Sequence, residues 1–228
     1  MLLDQAIRFS EILLAFACAQ QSLEYMRGLQ PEKTLGFIRF ILSIVLLLGW
    51  HPLYAEAGLL LLGCLFLYRF QGPYNGGSDA MTMLLLLCLF LSHLAPSRFW
   101  QEMALGYLAF QLTFSYFQSG YIKVINQDWR SGQALTDVFA LTAYPVSERL
   151  RHLALSPRLM LIMSWAVILF ELLFPLSLLH STSLCIALAV AAVFHLANAY
   201  LFGLNRFFWI WLAAYPVIIA FQQRLFGF

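Results

Sequence analysis

Long apolar runs, interrupted by turn clusters and charged residues, fill most of the sequence. They divide the chain into about eight candidate helices, near residues 6–25, 35–52, 56–70, 79–95, 102–123, 157–180, 184–203 and 206–225. Helices suit a membrane because each backbone N–H then finds its partner within its own segment. The pattern therefore predicts an all-α, polytopic integral membrane helical bundle with about eight transmembrane helices, forming a single membrane domain over residues 1–228.

Turn residues mark the predicted boundaries. The cluster QGPYNGGSD at 71–79 places Asp79 as a helix N-cap, and Ser156 before Pro157 opens a later helix. After Lys123 the chain stays polar or mixed until about Ser156. We expect this polar segment, which follows the fifth helix, to lie at the membrane interface and to contain a short helix, GQALTDVFALT.

Composition supports a membrane protein and excludes several other classes. The 228 residues are 62% hydrophobic and 11% charged, whereas soluble domains are about 45–50% apolar and about 25% charged. A net charge of +2 implies no polyanionic partner, so no nucleic acid is expected. The four cysteines lie in apolar runs without CxxC or Cys/His spacing, and no metal site is predicted from them.

Ionisable side chains inside the apolar helices are the candidate functional residues. Each costs about 2.5–3.5 kcal/mol near a helix centre on insertion scales, so each is a functional hypothesis. Lys123 ends a helix with one polar face. Glu171 has no basic residue within a helical turn, so it either has a partner on another helix or is protonated. His195 and Asn198, three residues apart, share a face of the following helix.

Simpler roles remain open for most of these residues. A lysine near a helix end can extend its amine to the lipid headgroups. Asp79 fits an N-cap better than a catalyst. His195 and Asn198 can act as hydrogen-bonding contacts between helices. Glu171 is hardest to explain this way, because an apolar residue would be less costly at its depth.

Three blocks of sequence carry a family resemblance. YFQSGYIKVINQDWRSGQAL (116–135) resembles a region of vitamin K-dependent gamma-glutamyl carboxylase and of the bacterial HTTM (horizontally transferred transmembrane) proteins related to its membrane domain. SWAVILFELLFPLSLL (164–179) is similar to the family's helix with a single acidic residue. FHLANAYLFGLNRFFWIWLAAYP (194–216) is similar to its aromatic-rich helix. The resemblance implies a bacterial inner (cytoplasmic) membrane protein.

The resemblance also implies a chemistry and a set of site residues. Lys123 matches the lysine taken as the base that deprotonates reduced vitamin K, in a reaction that ends with a carboxylated glutamate. Glu171 and His195 would orient groups or relay protons. The implied cofactor is a reduced quinone, with no metal, and the residues expected to bind it are Tyr116, Asn198, Trp129, Arg130 and Asp79. The family's helper histidine is missing from the turn, where this chain has 76–79, GGSD.

Three functions are compatible with these observations. The first is a small membrane enzyme that uses a reduced quinone, with Lys123 as base for proton abstraction or carboxylation-like chemistry. The second is a non-catalytic quinone- or lipid-binding subunit of a larger membrane complex. The third is a maturation or immunity factor for a peptide. The expected partners are accordingly the lipid bilayer, a lipid-soluble quinone, and a peptide substrate or partner membrane subunits.

Overall fold

The computed structural model describes residues 2–69, 76–141 and 148–227, and all regular structure within them is helical. The helices are α1 (Leu3–Tyr25), α2 (Glu32–Leu48), α3 (Pro52–Arg69), α4 (Gly77–Leu94), α5 (Arg98–Ile125), α6 (Gln127–Ser131), α7 (Gln133–Leu141), α8 (Glu148–Arg151), α9 (Pro157–Leu173), α10 (Ser181–Phe202) and α11 (Asn205–Phe226). Short 3₁₀ helices follow α8 and α9, at His152–Leu155 and Phe174–Leu179. Two compact units result, Met1–Ala109 with Arg206–Phe228 (unit 1) and Phe110–Asn205 (unit 2), so α5 contributes to both.

The eight helices expected from the apolar runs are all present, and their ends lie within about four residues of those predicted, except that α9 ends as an α-helix at Leu173 and not near residue 180. Within the polar segment that follows α5, α7 corresponds to the predicted short helix GQALTDVFALT. After α9 the chain continues as a 3₁₀ helix, Phe174–Leu179, with Pro175 in its first turn. Proline has no N–H to donate and its ring crowds the preceding turn, which explains the change.

Four helices of the described residues are long and apolar enough to cross a membrane, namely Pro52–Arg69, Gly77–Leu94, Pro157–Leu179 and Ser181–Phe202. The predicted count of about eight transmembrane helices is therefore not confirmed. Two of the other predicted spans, α1 and α2, are not among these four, and the sequence shows why. α1 contains four charged residues, Asp4, Arg8, Glu11 and Glu24, and α2 has only 17 residues, fewer than the roughly 20 that a typical span needs.

The predicted N-cap at Asp79 is wrong. The N-cap of α4 is Gly76, and the helix begins at Gly77. Asp79 lies in the first turn, where its backbone N–H donates to the carbonyl of Gly76 over 3.0 Å. A carboxylate there still interacts favourably with the positive end of the helix dipole. The other boundary is confirmed, because Ser156 is the N-cap of α9 and Pro157 its first residue.

Unit 1 has a leucine-rich core between its helices. Leu14, Leu46, Leu59 and Leu85, from α1 to α4 in turn, are completely buried. Large apolar side chains also remain exposed on the outside, such as Leu61 of α3 at 73%. Outward apolar side chains suit a protein whose surroundings are lipid tails.

In unit 2 the polar segment that follows α5 packs onto α9 through α7. Leu135 and Phe139 of α7 are buried against Met160 of α9. The turn from α6 into α7 is made by Gly132, whose φ is +80°, a left-handed conformation that costs a residue with a Cβ about 1–2 kcal/mol. A Cβ on Gly132 would also lie 2.8 Å from the backbone nitrogen of Leu161. Glycine at position 132 therefore permits the turn from α6 into α7.

Candidate functional site

Lys123 and Glu171 form an ion pair between α5 and α9. Lys123 Nζ donates to both carboxylate oxygens of Glu171, over 2.9 Å to Oε1 and 2.6 Å to Oε2. The side chains are 17% and 5% exposed, respectively. The sequence indicates that a partner for Glu171 would come from another helix, and Lys123 is that partner. A buried carboxylate is costly without a counter-charge, so each member of this pair makes the other tolerable.

A glycine allows the two helices to meet at this pair. Gly120 lies one turn before Lys123 on α5, on the same face. A Cβ built on Gly120 would lie 2.7 Å from the backbone nitrogen of Leu172 and 2.9 Å from the Cβ of Glu171. Both distances are shorter than real Cβ contacts. Only glycine fits here, and its missing side chain lets α5 and α9 approach closely.

The short helix α6 places an aromatic ring beside the amine. Lys123 Nζ lies 5.2 Å from the ring centroid of Trp129, within the range of a cation–π interaction. α6 is held against α9 by two hydrogen bonds. Ser164 Oγ donates to the carbonyl of Trp129 over 2.5 Å, and Trp165 Nε1 donates to the carbonyl of Arg130 over 3.0 Å. These two bonds hold the backbone of α6 in place and so fix the position of Trp129.

A second polar pair joins α5 to α10. Tyr116 Oη and His195 Nε2 are 2.8 Å apart, and both residues are buried. The Tyr116 ring stacks on Phe174 with centroids 4.2 Å apart and meets Phe170 edge to face at 5.8 Å. Tyr116 and Lys123 are seven residues apart on one face of α5, about 10 Å along its axis. This face therefore carries two polar pairs among aromatic side chains.

Two predicted ligand-binding residues have structural contacts of their own. Arg130 Nη1 donates to the carbonyls of Val124 and Ile125 over 2.8 and 3.0 Å, and so caps the C-terminus of α5. Asn198 is half-buried on α10, one turn after His195. Within the described residues no hydrogen bond joins the Asn198 side chain to the polar pairs. The roles expected of Arg130 and Asn198 toward a ligand stay predictions.

Asp79 belongs to unit 1. Its Oδ1 accepts a hydrogen bond from Gln21 Nε2 over 3.4 Å. It lines a small polar pocket together with Glu24, Ser78 and Arg206. Its assignment to the cofactor site stays a prediction. Another cavity of unit 1, of about 240 Å³, is lined by residues that include Arg98, Glu102 and Arg224, and by none of the predicted site residues.

Sequence reasoning overlooked several ionisable residues of unit 1. Arg39 is buried, with its guanidinium carbon 5.9 Å from the ring centroid of Tyr25 and 5.7 Å from that of Phe66. Glu56 is fully buried in α3. The available signal is the one that identified Glu171, a charge isolated in an apolar run. Ligand atoms of three such residues lie within 4.8 Å of one another: Glu11, Glu56 and His93.

Residues 94–222 match a protein-family model, the HTTM domain. The matched region is more than half of the chain and contains both polar pairs of unit 2. The chain belongs to the HTTM family. Together with the apolar helices, this membership establishes a membrane protein. No curated protein matches this HTTM chain, and no solved structure matches it.

Proposed function

We propose that this HTTM protein is a small membrane enzyme that binds a reduced quinone and uses Lys123 as the base in proton abstraction or carboxylation-like chemistry. We place it in the bacterial inner membrane. The observation that carries the proposal is the Lys123–Glu171 pair, an amine and a carboxylate held in contact at a largely buried position of the matched domain. A pair that served packing alone would be less costly as two apolar residues.

The pair offers a way to generate a base in apolar surroundings. A lysine amine accepts a proton only when it is itself neutral. Both oxygens of Glu171 are within hydrogen-bond distance of Nζ, so a proton can move from the amine to the carboxylate. That transfer replaces two charges by two neutral groups, which low polarity favours. Glu171 thereby prepares Lys123 to accept a proton from a bound molecule.

The residues around the pair fit a quinone-type ligand. A reduced quinone is a flat, apolar ring with hydroxyl groups, and when bound it supplies reducing equivalents and an acidic hydroxyl. Aromatic rings of Trp129, Phe170 and Phe174 provide apolar faces near the polar pairs. Tyr116 and His195 would hold the ligand by hydrogen bonds, and Lys123 would accept its hydroxyl proton. Asn198 and Arg130 complete the proposed binding set in unit 2.

The proposal is tested by turnover of a reduced quinone in purified protein. The protein in lipid nanodiscs is supplied with vitamin K hydroquinone or menaquinol, oxygen, labelled bicarbonate and a glutamate-containing peptide, and both quinol oxidation and labelled peptide are followed by mass spectrometry. The chain has two lysines, Lys33 and Lys123, which provides a matched control. We expect Lys123→Met to lose turnover by at least about a hundredfold and Lys33→Met, at an exposed position, to retain it.

The other functions appear as distinct outcomes of the same experiment. A wild-type protein that retains quinone, copurifies with stoichiometric partner chains and never turns quinol over is a non-catalytic binding subunit. A protein that carries only a bound peptide is a maturation or immunity factor. Equal turnover in wild type and in a folded Lys123→Met variant would refute the role of Lys123.

A further inference from the structure

Three helices of unit 1 bring together a glutamate pair and a histidine, apart from the residues proposed to bind quinone in unit 2. Glu11 lies on α1, Glu56 on α3 and His93 in the last turn of α4. One ligand atom from each falls within 4.8 Å of the other two. His93 Nε2 is 2.7 Å from Glu11 Oε1 and 3.8 Å from Glu56 Oε1.

Glu56 is the member of the cluster that needs an explanation. It is completely buried. Neither of its carboxylate oxygens has a hydrogen-bond partner within the described residues, because the 3.8 Å to His93 exceeds hydrogen-bond distance. A buried carboxylate without hydrogen bonds or a counter-ion carries a large desolvation cost. Its oxygens lie beside the two other potential ligands.

The neighbouring cation, Arg8, is already engaged. Arg8 Nη1 donates to Glu11 Oε2 over 2.8 Å and to the carbonyl of Leu46 over 2.9 Å, while Nη2 donates to the carbonyl of Leu47 over 2.5 Å. It therefore neutralises Glu11 from the oxygen that faces away from His93. Glu11 Oε1 faces His93 within the cluster. None of these Arg8 hydrogen bonds goes to Glu56, so Arg8 does not neutralise the Glu56 carboxylate.

We propose that Glu11, Glu56 and His93 bind a divalent transition-metal ion of the Zn²⁺ type. Two carboxylate oxygens and an imidazole nitrogen are hard to borderline ligands that suit such ions. Three protein ligands leave a coordination position open. Coordination at about 2.0–2.1 Å per ligand would move His93 Nε2 and Glu11 Oε1 apart, from a hydrogen bond to about 3.3 Å. The His93 side chain is 25% exposed, which provides a route of entry.

The sequence predicts no metal site because these ligands have no local spacing. They come from three helices, and their approach depends on how those helices pack. A metal ion here would neutralise Glu56 and join α1, α3 and α4, since each helix supplies one ligand. Removing the ion should therefore loosen the unit as well as empty the site.

Direct metal binding tests the proposal. Tag-free protein in detergent, stripped with a chelator and dialysed, is titrated with Zn²⁺ by calorimetry and then analysed for bound zinc, and thermal unfolding is followed with and without the ion. We expect about one Zn²⁺ per chain and a higher Tm with zinc, as mass action requires for an ion that binds the folded state. Absence of stoichiometric zinc in folded wild-type protein overturns the proposal, and a proton rather than a metal then neutralises Glu56.

Variants locate the binding. Glu56→Gln keeps the shape of the side chain and removes its charge, and we expect the Kd for Zn²⁺ to rise at least about tenfold and the zinc-dependent rise in Tm to disappear. Glu32→Gln is the matched control in the same unit, since Glu32 pairs with Arg69 at an exposed position. If Glu56→Gln binds zinc as tightly as wild type and Glu32→Gln do, the ion lies elsewhere and the proposal is wrong.

Discussion

Lys123 Nζ lies 2.6 Å from one carboxylate oxygen of Glu171 and 2.9 Å from the other. This pair joins α5 and α9 of the HTTM protein. It gives Glu171 the partner that its own helix lacks. It also places the amine where a reactive base would be shielded from water.

Removal of one member of the pair should destabilise the fold more than removal of both. Lys123→Met leaves the Glu171 carboxylate largely buried without its counter-ion, and we expect a loss of about 3 kcal/mol in the free energy of unfolding. Lys123→Met with Glu171→Gln should recover most of that loss, because no charge remains. A double-mutant cycle in detergent, read by reversible unfolding, measures the coupling. Additive effects would show that the pair is not energetically linked.

Gly120 should be sensitive to a single added methyl group. Gly120→Ala places a Cβ 2.7 Å from the backbone nitrogen of Leu172, and backbone cannot rotate away. We expect α5 and α9 to separate at a cost of about 1–3 kcal/mol, with weaker quinone binding. Gly106→Ala on the same helix is the control. Its Cβ would meet only the Phe221 ring, at 3.2 Å, which can shift. Equal stability of the two variants, measured by thermal unfolding, would argue against close packing at Gly120.

The Tyr116 hydroxyl should matter through His195. Tyr116→Phe removes the group that hydrogen-bonds His195 Nε2 in a buried setting, and we expect a loss of about 1–3 kcal/mol in the free energy of unfolding. Tyr121→Phe is the matched control, since Tyr121 is 52% exposed and should change stability by less than about 0.5 kcal/mol. Indistinguishable unfolding curves for the two variants would contradict the role given to this hydrogen bond.

Alanine variants of two glycines with the same backbone conformation distinguish the cost of backbone strain from the cost of a steric clash. Gly132 and Gly203 have φ values of +80° and +71°, so an alanine at either costs about 1–2 kcal/mol. A Cβ at Gly132 also meets the backbone of Leu161 at 2.8 Å, whereas nothing lies within 4 Å at Gly203. Gly132→Ala should therefore destabilise more than Gly203→Ala in thermal unfolding. The reverse order would show that α6 and α7 do not depend on this contact.

Hydropathy alone predicted most of the helices, because each apolar run of this chain is a separate local signal. The start of α4 was missed by a few residues, since Gly76 and Gly77 read as turn residues while Gly77 is helical. The contact of Lys123 with Glu171 could not be predicted. The two residues are far apart in sequence, and their approach depends on packing at Gly120. Glu56 carried the same local signal as Glu171. Its neighbours Glu11 and His93 lie on other helices, so the sequence alone could not identify them.

Quinol turnover by Lys123→Arg tests most directly whether Lys123 acts as a base. Arginine keeps the positive charge and can still pair with Glu171, but its guanidinium does not lose its proton in proteins. We expect a folded protein that retains quinone in native mass spectrometry and turns it over at least about a hundredfold more slowly than wild type. Wild-type turnover by this variant would show that Lys123 is a structural cation and not a base.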